Sequence, residues 1–393
     1  MPPKVRSLLF WAHLATGVAA GLLVLVMSTT GVLLAYERQI VAWVEDYVVE
    51  PASGAARLGV DALLERARVA SGETPSAVTL SADRNAPAVV AIGRERNVFL
   101  DPYSGAVLGE GSPGLRRFFR TVTDWHRWLG AQAAHRDTAR AFTGAANLGF
   151  LFLVTSGFFL WWPRQWSRQH LRPVAWFQGG LEGRARDFNW HNVLGLWSAL
   201  PLFFIVSTGV VMSYPWANDL LYRLAGSTPP PRSTGPRAST GPPNRSFEGL
   251  DALLAKAGEQ APGWRTLTLR VPSGPDGPVS VSADRSHRGR PDLRVQVTLQ
   301  PTTGEIAKLE TFSGYDLGRR LRTWARWIHT GEAGGVAGQA LAGTASAGAT
   351  VLVWTGLALA WRRFFGRAEA TVTSPLPASA CSEGARPATP RPA

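Results

Sequence analysis

The chain is poor in cysteine. Its 393 residues hold one, Cys381, in a Pro-, Ala- and Ser-rich C-terminal stretch. Intrachain disulfides, thiolate iron–sulfur clusters and Cys-based zinc sites are therefore excluded. Charge is missing in places as well. Residues 7–36, 141–163, 188–218 and 333–361 contain no Asp, Glu, Lys or Arg. Each stretch reaches the roughly 20 residues that cross a bilayer as a helix. The first has too long an apolar run, and lacks the small-residue cleavage site, to be a secretory signal peptide.

Several catalytic signatures are absent. There is no Walker motif, nucleophile elbow or H-E-x-x-H. The run 109–114 spells G-x-G-x-x-G, but Pro113 sits inside it and no βαβ unit surrounds it. Nucleotide binding is not expected there. A flavin or nicotinamide donor would have to belong to another protein.

What charge there is sets an expected topology. Lys4 and Arg6 precede the first apolar stretch, Arg164, Arg168, Arg172, Arg184 and Arg186 lie between the second and third, and Arg362, Arg363 and Arg367 follow the fourth. Basic residues in short flanks mark the cytoplasmic side. Both termini and a loop at 164–187 are then cytoplasmic, and the long segments 37–140 and 219–332 face outside. The net charge of +13 is accounted for by inside anchors and contact with lipid headgroups. A nucleic-acid partner is not expected, whereas a lipid bilayer is.

The sequence repeats itself. His13, Gly17, Gly31 and Tyr36 recur 178 residues later as His191, Gly195, Gly209 and Tyr214. Gly144 and Gly157 recur 199 residues later as Gly343 and Gly356, and Asp61-Ala-Leu-Leu matches Asp251-Ala-Leu-Leu. Each outside segment reads as one amphipathic helix (60–70, 247–260) and alternating strands. The strands fall at 77–81, 88–92 and 97–108, then at 265–271, 279–283 and 293–309. The runs Asp101-Pro-Tyr-Ser-Gly105 and Gln300-Pro-Thr-Thr-Gly304 have hairpin-turn chemistry. A Pro-, Gly- and Ser-rich run at 226–245 reads as a flexible linker, and 366–393 as a disordered tail. The expected class is an α-helical membrane protein, with four transmembrane helices from a tandem duplication and two outside α+β units.

Four histidines stand at the ends of the apolar stretches. His13 and His191 begin the first and third; His126 and His329 just precede the second and fourth. An ionisable residue in or beside hydrocarbon is costly and marks a functional site by default. The hydrocarbon core is about 30 Å thick, so an inner histidine cannot share a ligand with an outer one. The pairs are His13 with His191, and His126 with His329. The outer pairing has an alternative. His126 lies 18 residues before Gly144 but His329 only 14 before Gly343, and His135 falls in the longer stretch. His170 and His287 have no repeat mates. Gly17 and Gly195, one turn beyond the inner histidines, suit either close approach of a flat ligand or ordinary helix packing.

The helix, strands and turns of the outside units resemble the PepSY domain. The segments His191-x-x-x-Gly195, Ser207-Thr-Gly209 and Ser156-Gly157-Phe-Phe-Leu-Trp-Trp162-Pro163-Arg164 resemble the PepSY-associated transmembrane family, over roughly residues 5–365. That family is described as iron-regulated membrane proteins and includes siderophore-iron reductases that carry b-type haems. The resemblance implies a bacterial inner-membrane protein with spans at 7–36, 141–163, 188–216 and 333–361. Periplasmic PepSY-like domains would lie at 57–112 and 246–314. It also implies two b-type haems ligated by His13, His191, His126 and His329, and no C-x-x-C-H is present for covalent c-type attachment. Neutral imidazole suits both axial positions of haem iron.

Arg120, Arg127, Arg322 and Arg326, with Trp128 and Trp327, flank the outer histidines. They suit haem propionates or an anionic chelate. Snorkelling and the aromatic belt account for such residues equally well. The expected activity is reduction of a ferric siderophore or other Fe(III) chelate, with electrons from a quinol or a cytoplasmic reductase. Two other readings use the same residues. One is a non-catalytic regulator of periplasmic peptidases, with structural or pH-sensing histidines. The other is a metal transporter, against which stands the absence of charged residues within the spans.

Overall fold

The computed structural model describes residues 2–93, 95–163, 166–231, 247–272, 274, 277–286 and 290–366. Residues 232–245 of the expected linker and 367–393 of the expected tail lie outside the described residues, as do His287 and Cys381. In chain order the elements are α1 (Pro3–Ala35), α2 (Glu37–Val44), α3 (Val60–Ser71), β1 (Ala77–Ser81), β2 (Ala88–Ile92), β3 (Arg96–Leu100) and β4 (Val107–Gly109). Then come α4 (Pro113–Trp128), α5 (Arg136–Trp161), α6 (Arg168–Ala175), α7 (Gly183–Ser213) and α8 (Pro215–Leu224). The remainder is α9 (Leu250–Glu259), β5 (Thr266–Arg270), β6 (Val279–Asp284), β7 (Arg294–Leu299), β8 (Ile306–Thr311), α10 (Leu317–His329) and α11 (Gly335–Phe365).

Four helical segments are long and apolar enough to cross a membrane: Pro3–Ala35, Pro113–Trp161, Gly183–Ser213 and Glu332–Phe365. Within them α1 and α7 each pack on both α5 and α11. The four long helices thus form a bundle with α1 and α7 across from one another. Small residues let the helices approach closely. A Cβ on Gly21 would stand 3.2 Å from Leu357, and one on Gly149 3.3 Å from Thr16. Two tyrosines interlock the halves of the chain. A Cβ on Gly343 would meet Tyr36 Oη at 2.7 Å, and one on Gly144 would meet Tyr214 Oη at 2.8 Å.

The outer histidines sit on neither α5 nor α11. They ride on two further amphipathic helices, α4 and α10, which pack on α1 and α7 respectively. α4 buries Phe119 and Val122 and turns its arginines away from that face. It ends in left-handed backbone at Leu129 (φ 53) and Gly130 (φ 74). After this corner Thr143 on α5 donates to the Arg127 carbonyl at 3.1 Å. α10 is capped by Asp316, whose carboxylate accepts from Arg319 N at 2.7 Å. Its corner uses Gly331 at φ 73, where a Cβ would stand 2.5 Å from the Gly338 carbonyl oxygen.

The strands of the two long segments form one sheet, not two separate modules. Its order is β4-β3-β2-β1-β5-β6-β7-β8, antiparallel throughout. β1 pairs with β5, setting Val78 opposite Leu269. This joint removes two edges that separate units would each leave exposed. Alternation puts Val279, Val281 and Ala283 inside, with Ser280 and Ser282 facing the other way, as period-2 patterning requires. One face packs on α3 and α9 through Leu63, Leu64, Leu253 and Leu254. On the other face Thr79 and Thr268 share a 3.0 Å hydrogen bond.

The two helices cap each other. Asp61 accepts from Gly249 N at 2.9 Å and Leu250 N at 3.1 Å, and Asp251 accepts from Val60 N. Burial, and then the Asp251 carboxylate, push the Asp61 carboxyl above its ordinary value. Leu269 is fully buried at the β1–β5 joint. Leu269→Ala is expected to destabilise the sheet by about 2–5 kcal/mol. The expected readout is faster proteolysis within 57–112 and 247–311, against unchanged cleavage in Thr268→Ser.

Candidate metal centres

The four histidine rings share one local arrangement. His13 Nδ1 meets Ser156 Oγ at 2.8 Å, and His191 Nδ1 meets Thr355 Oγ1 at 3.0 Å. His126 Nδ1 meets Thr30 Oγ1 at 3.0 Å, and His329 Nδ1 donates to the Ile205 carbonyl at 2.8 Å. Among the described residues no hydrogen bond engages any of the four Nε2 atoms. Each ring is oriented through one nitrogen while the other is left available. Metal-ligating histidines are held in this way, by an outer partner on the non-ligating nitrogen.

Glycines stand against all four rings. A Cβ on Gly157 would lie 3.4 Å from His13 Cε1, and one on Gly356 would lie 3.2 Å from His191 Cε1. At the other end, Gly31 would place one 3.6 Å from His126 Cε1, and Gly209 one 3.3 Å from His329 Cε1. The orienting groups recur with the repeat offsets. Ser156 and Thr355 are 199 residues apart, as are Gly157 and Gly356, while Gly31 and Gly209 are 178 apart. Gly17 and Gly195 behave differently. Their added Cβ atoms would meet Leu153 at 3.8 Å and Leu352 at 3.7 Å, which is ordinary helix packing.

At the outer end, the His126 and His329 ring centres are 6.2 Å apart with the planes at 65°. A metal held by both rings needs about 2 Å to each nitrogen, which sets ring centres about 6 Å apart. The observed spacing fits. His135 closes the 3₁₀ turn Ala133–His135 and is exposed, away from this contact. At the inner end His13 on α1 reaches Ser156 of α5, and His191 on α7 reaches Thr355 of α11. Asp187 marks the rim of that end, buried and paired with Arg186 at 2.9 Å and with Arg362. A cleft of about 410 Å³ between α1, α7 and α11 reaches Thr355 and is flanked by Trp190 and Trp354.

The donor set limits what the centres can hold. Among the described residues no group of three or more His, Cys, Asp or Glu is placed to bind a metal ion. Two imidazoles alone leave a bare zinc ion short of its usual three or four protein ligands. They are enough for haem iron, because the macrocycle fills the other positions.

The flanking residues divide. Arg120 pairs with Glu95, on the turn between β2 and β3, and so faces the sheet. Arg322 donates to Asn218 Oδ1 at 2.9 Å. Trp327 is buried. Arg127 lies over the Trp128 ring at 4.5 Å, and Arg326 is exposed near it. The sequence marks the four glycines as repeat matches and Ser156 as part of a family-like motif, but gives neither these nor Thr355 and Thr30 a place at the histidine rings. The offset that pairs His13 with His191 also pairs Gly31 with Gly209, and the offset of 199 pairs Ser156 with Thr355 and Gly157 with Gly356.

A family model described as PepSY-associated TM region matches residues 10–363. No curated protein matches the chain.

Proposed function

The chain belongs to the PepSY-associated transmembrane family, its four apolar helices make it a multi-pass membrane protein, and we propose that it is a di-haem b oxidoreductase. On this reading it carries electrons across a bacterial cytoplasmic membrane to ferric iron held by an outside chelator, a siderophore above all. One observation carries the reading. Among the described residues all four histidines are tethered through Nδ1 with no hydrogen bond on Nε2, and the His126 and His329 rings stand 6.2 Å apart.

A bound haem supplies a one-electron Fe(III)/Fe(II) couple. The chain does the rest. His13 and His191 hold the inner group, and His126 and His329 the outer one. The Ile205 carbonyl fixes the His329 tautomer, and Ser156, Thr355 and Thr30 orient the other three rings. The glycines leave flat space beside the rings. The repeat offsets in the contacts support a duplicated architecture, with the eight-stranded sheet on the periplasmic side. The cleft beside Thr355 gives a quinol or a cytoplasmic reductase an approach to the inner pair. Reduction releases iron because Fe(II) binds hard oxygen chelators less tightly than Fe(III) does.

The test is spectroscopic and kinetic. Purified protein should show a b-type reduced-minus-oxidised spectrum, and adding a ferric chelate to the reduced form should reoxidise it. A protein with no haem signal, or a reduced form indifferent to Fe(III), would refute the proposal. Outer partners of ligating histidines are typically worth 10–100-fold in metal affinity or activity. Thr355→Val is thus expected to weaken retention of the inner haem by about 10–100-fold, with Thr355→Ser restoring it, measured by haem transfer to apomyoglobin.

A further inference from the structure

The cleft between α1, α7 and α11 has a volume of about 410 Å³, which falls within the roughly 300–1,000 Å³ of small-molecule sites. None of the four histidines lines it. Thr355, which does, stands on the Nδ1 side of His191, whereas a metal would be held at Nε2. The cleft is therefore a recess behind the His191 ring, distinct from the space between the inner rings.

Its lining is amphipathic. Trp190 and Trp354 flank it and are 41% and 66% exposed. Both stand on helices long and apolar enough to cross a membrane, so the cleft opens towards lipid. Leu25 and Val351 add apolar wall. Asp187 is the buried polar group. Its Oδ1 accepts from Arg186 Nε at 3.1 Å and Nη2 at 2.9 Å, and its Oδ2 from Arg362 Nη1. A carboxylate offers about four acceptor positions, so these three donors leave capacity on Oδ2.

The corresponding positions in the other half carry none of this. Arg186, Asp187 and Trp190 match Leu8, Leu9 and Ala12, 178 residues earlier. Trp354 and Arg362 match Thr155 and Pro163, 199 residues earlier. Helix packing common to both halves does not call for a buried carboxylate in one of them. Haem propionates do not call for it either, since they would set carboxylate against carboxylate, behind the ring and away from the iron.

We propose that this cleft seats a membrane quinol, which gives its electrons to the inner histidine pair. The inference rests on the reductase reading and decides its donor. A lipid-soluble hydroquinone reaches a mouth among the spans, and a soluble reductase does not. The quinol ring lies against Trp190 and Trp354, its tail extends into lipid, and one hydroxyl donates to Asp187 Oδ2. Thr355 then bridges the cleft wall to the His191 ring. Oxidation breaks both O–H bonds and yields quinone, two electrons and two protons. The electrons leave one at a time through the inner centre and reduce two Fe(III) ions outside to Fe(II). The protons pass to water at the rim, where Arg186 is half exposed.

The test uses the purified full chain in nanodiscs, with no second protein. A short-tailed azido-ubiquinone serves as photolabel and decylubiquinol as reductant. The double variant Thr350→Leu/Val351→Phe imports the residues of the other half, Leu151 and Phe152, and narrows the cleft. The label should attach within residues 186–190 or 350–355 of the wild type and be displaced by decylubiquinone. Decylubiquinol should reduce the wild-type haem, and do so at least about tenfold more slowly in the variant, with reduction by dithionite unchanged. A variant that loses its haem is judged by the label, which it should take at least about tenfold less readily. Attachment elsewhere, or equal quinol rates in both proteins, would overturn the proposal. So would a wild-type haem that dithionite reduces and Fe(III) reoxidises but decylubiquinol leaves oxidised, a result that spares the reductase and points to a protein donor. Specific labelling of a chain that binds no haem would sink the reductase and leave the quinone seat standing.

Discussion

His329→Ala should leave the protein with one b-type haem in place of two, and with ferric reduction lower by more than about 100-fold. The His329 ring centre lies 6.2 Å from that of His126, and its Nδ1 is fixed by the Ile205 carbonyl. No third ligating side chain stands ready among the described residues. An outer haem therefore loses one of only two protein ligands. Altering an outer partner alone typically costs 10–100-fold, so removing the ligand itself should exceed that range. The inner centre is built from other helices and should keep its haem. His135→Ala is the contrast. That ring is exposed on a separate turn, so its removal should leave both the haem count and the rate unchanged. Quantitative haem spectra of the two variants, with Fe(II) trapped by ferrozine, check both statements.

The second large effect comes from glycine. A Cβ at Gly209 would stand 2.9 Å from Asn147 Nδ2 and 3.3 Å from His329 Cε1. Gly209→Val adds two methyl groups beyond that atom and must push the His329 ring aside, at a packing cost of about 1–3 kcal/mol. Loss of the outer haem alone is expected. Gly356→Val should do the same to the inner haem, since its Cβ would lie 3.2 Å from His191 Cε1. Gly17→Ala meets only Leu153 at 3.8 Å and should retain both. If either valine variant loses both haems, or neither, the rings are not placed as described.

The spans were legible because charge is absent from them and hydrocarbon excludes charge. The individual strands were legible because a half-buried sheet alternates, as Val279, Val281 and Ala283 do. The pairing of His126 with His329 followed from depth and the repeat, and the structure sets those rings in contact. The joining of the two strand sets was not legible. β1 and β5 are 189 positions apart where Thr79 meets Thr268, and nothing local announces that two edges will pair. α4 and α10 were also missed. Their arginines read as polar flanks of a span, while the faces they bury depend on α1 and α7. Thr355 and Ser156 are hydroxyls in apolar helices, and only their contact with a ring gives them a role.

Haem per polypeptide, counted by pyridine haemochrome in the purified protein and in single-histidine variants, bears most directly on the proposed function. The expected result is two b-type haems per chain, falling to one in His13→Ala and to one in His329→Ala. A chain that binds no haem, or whose haem count is unchanged in both variants, would contradict the assignment of the histidine pairs.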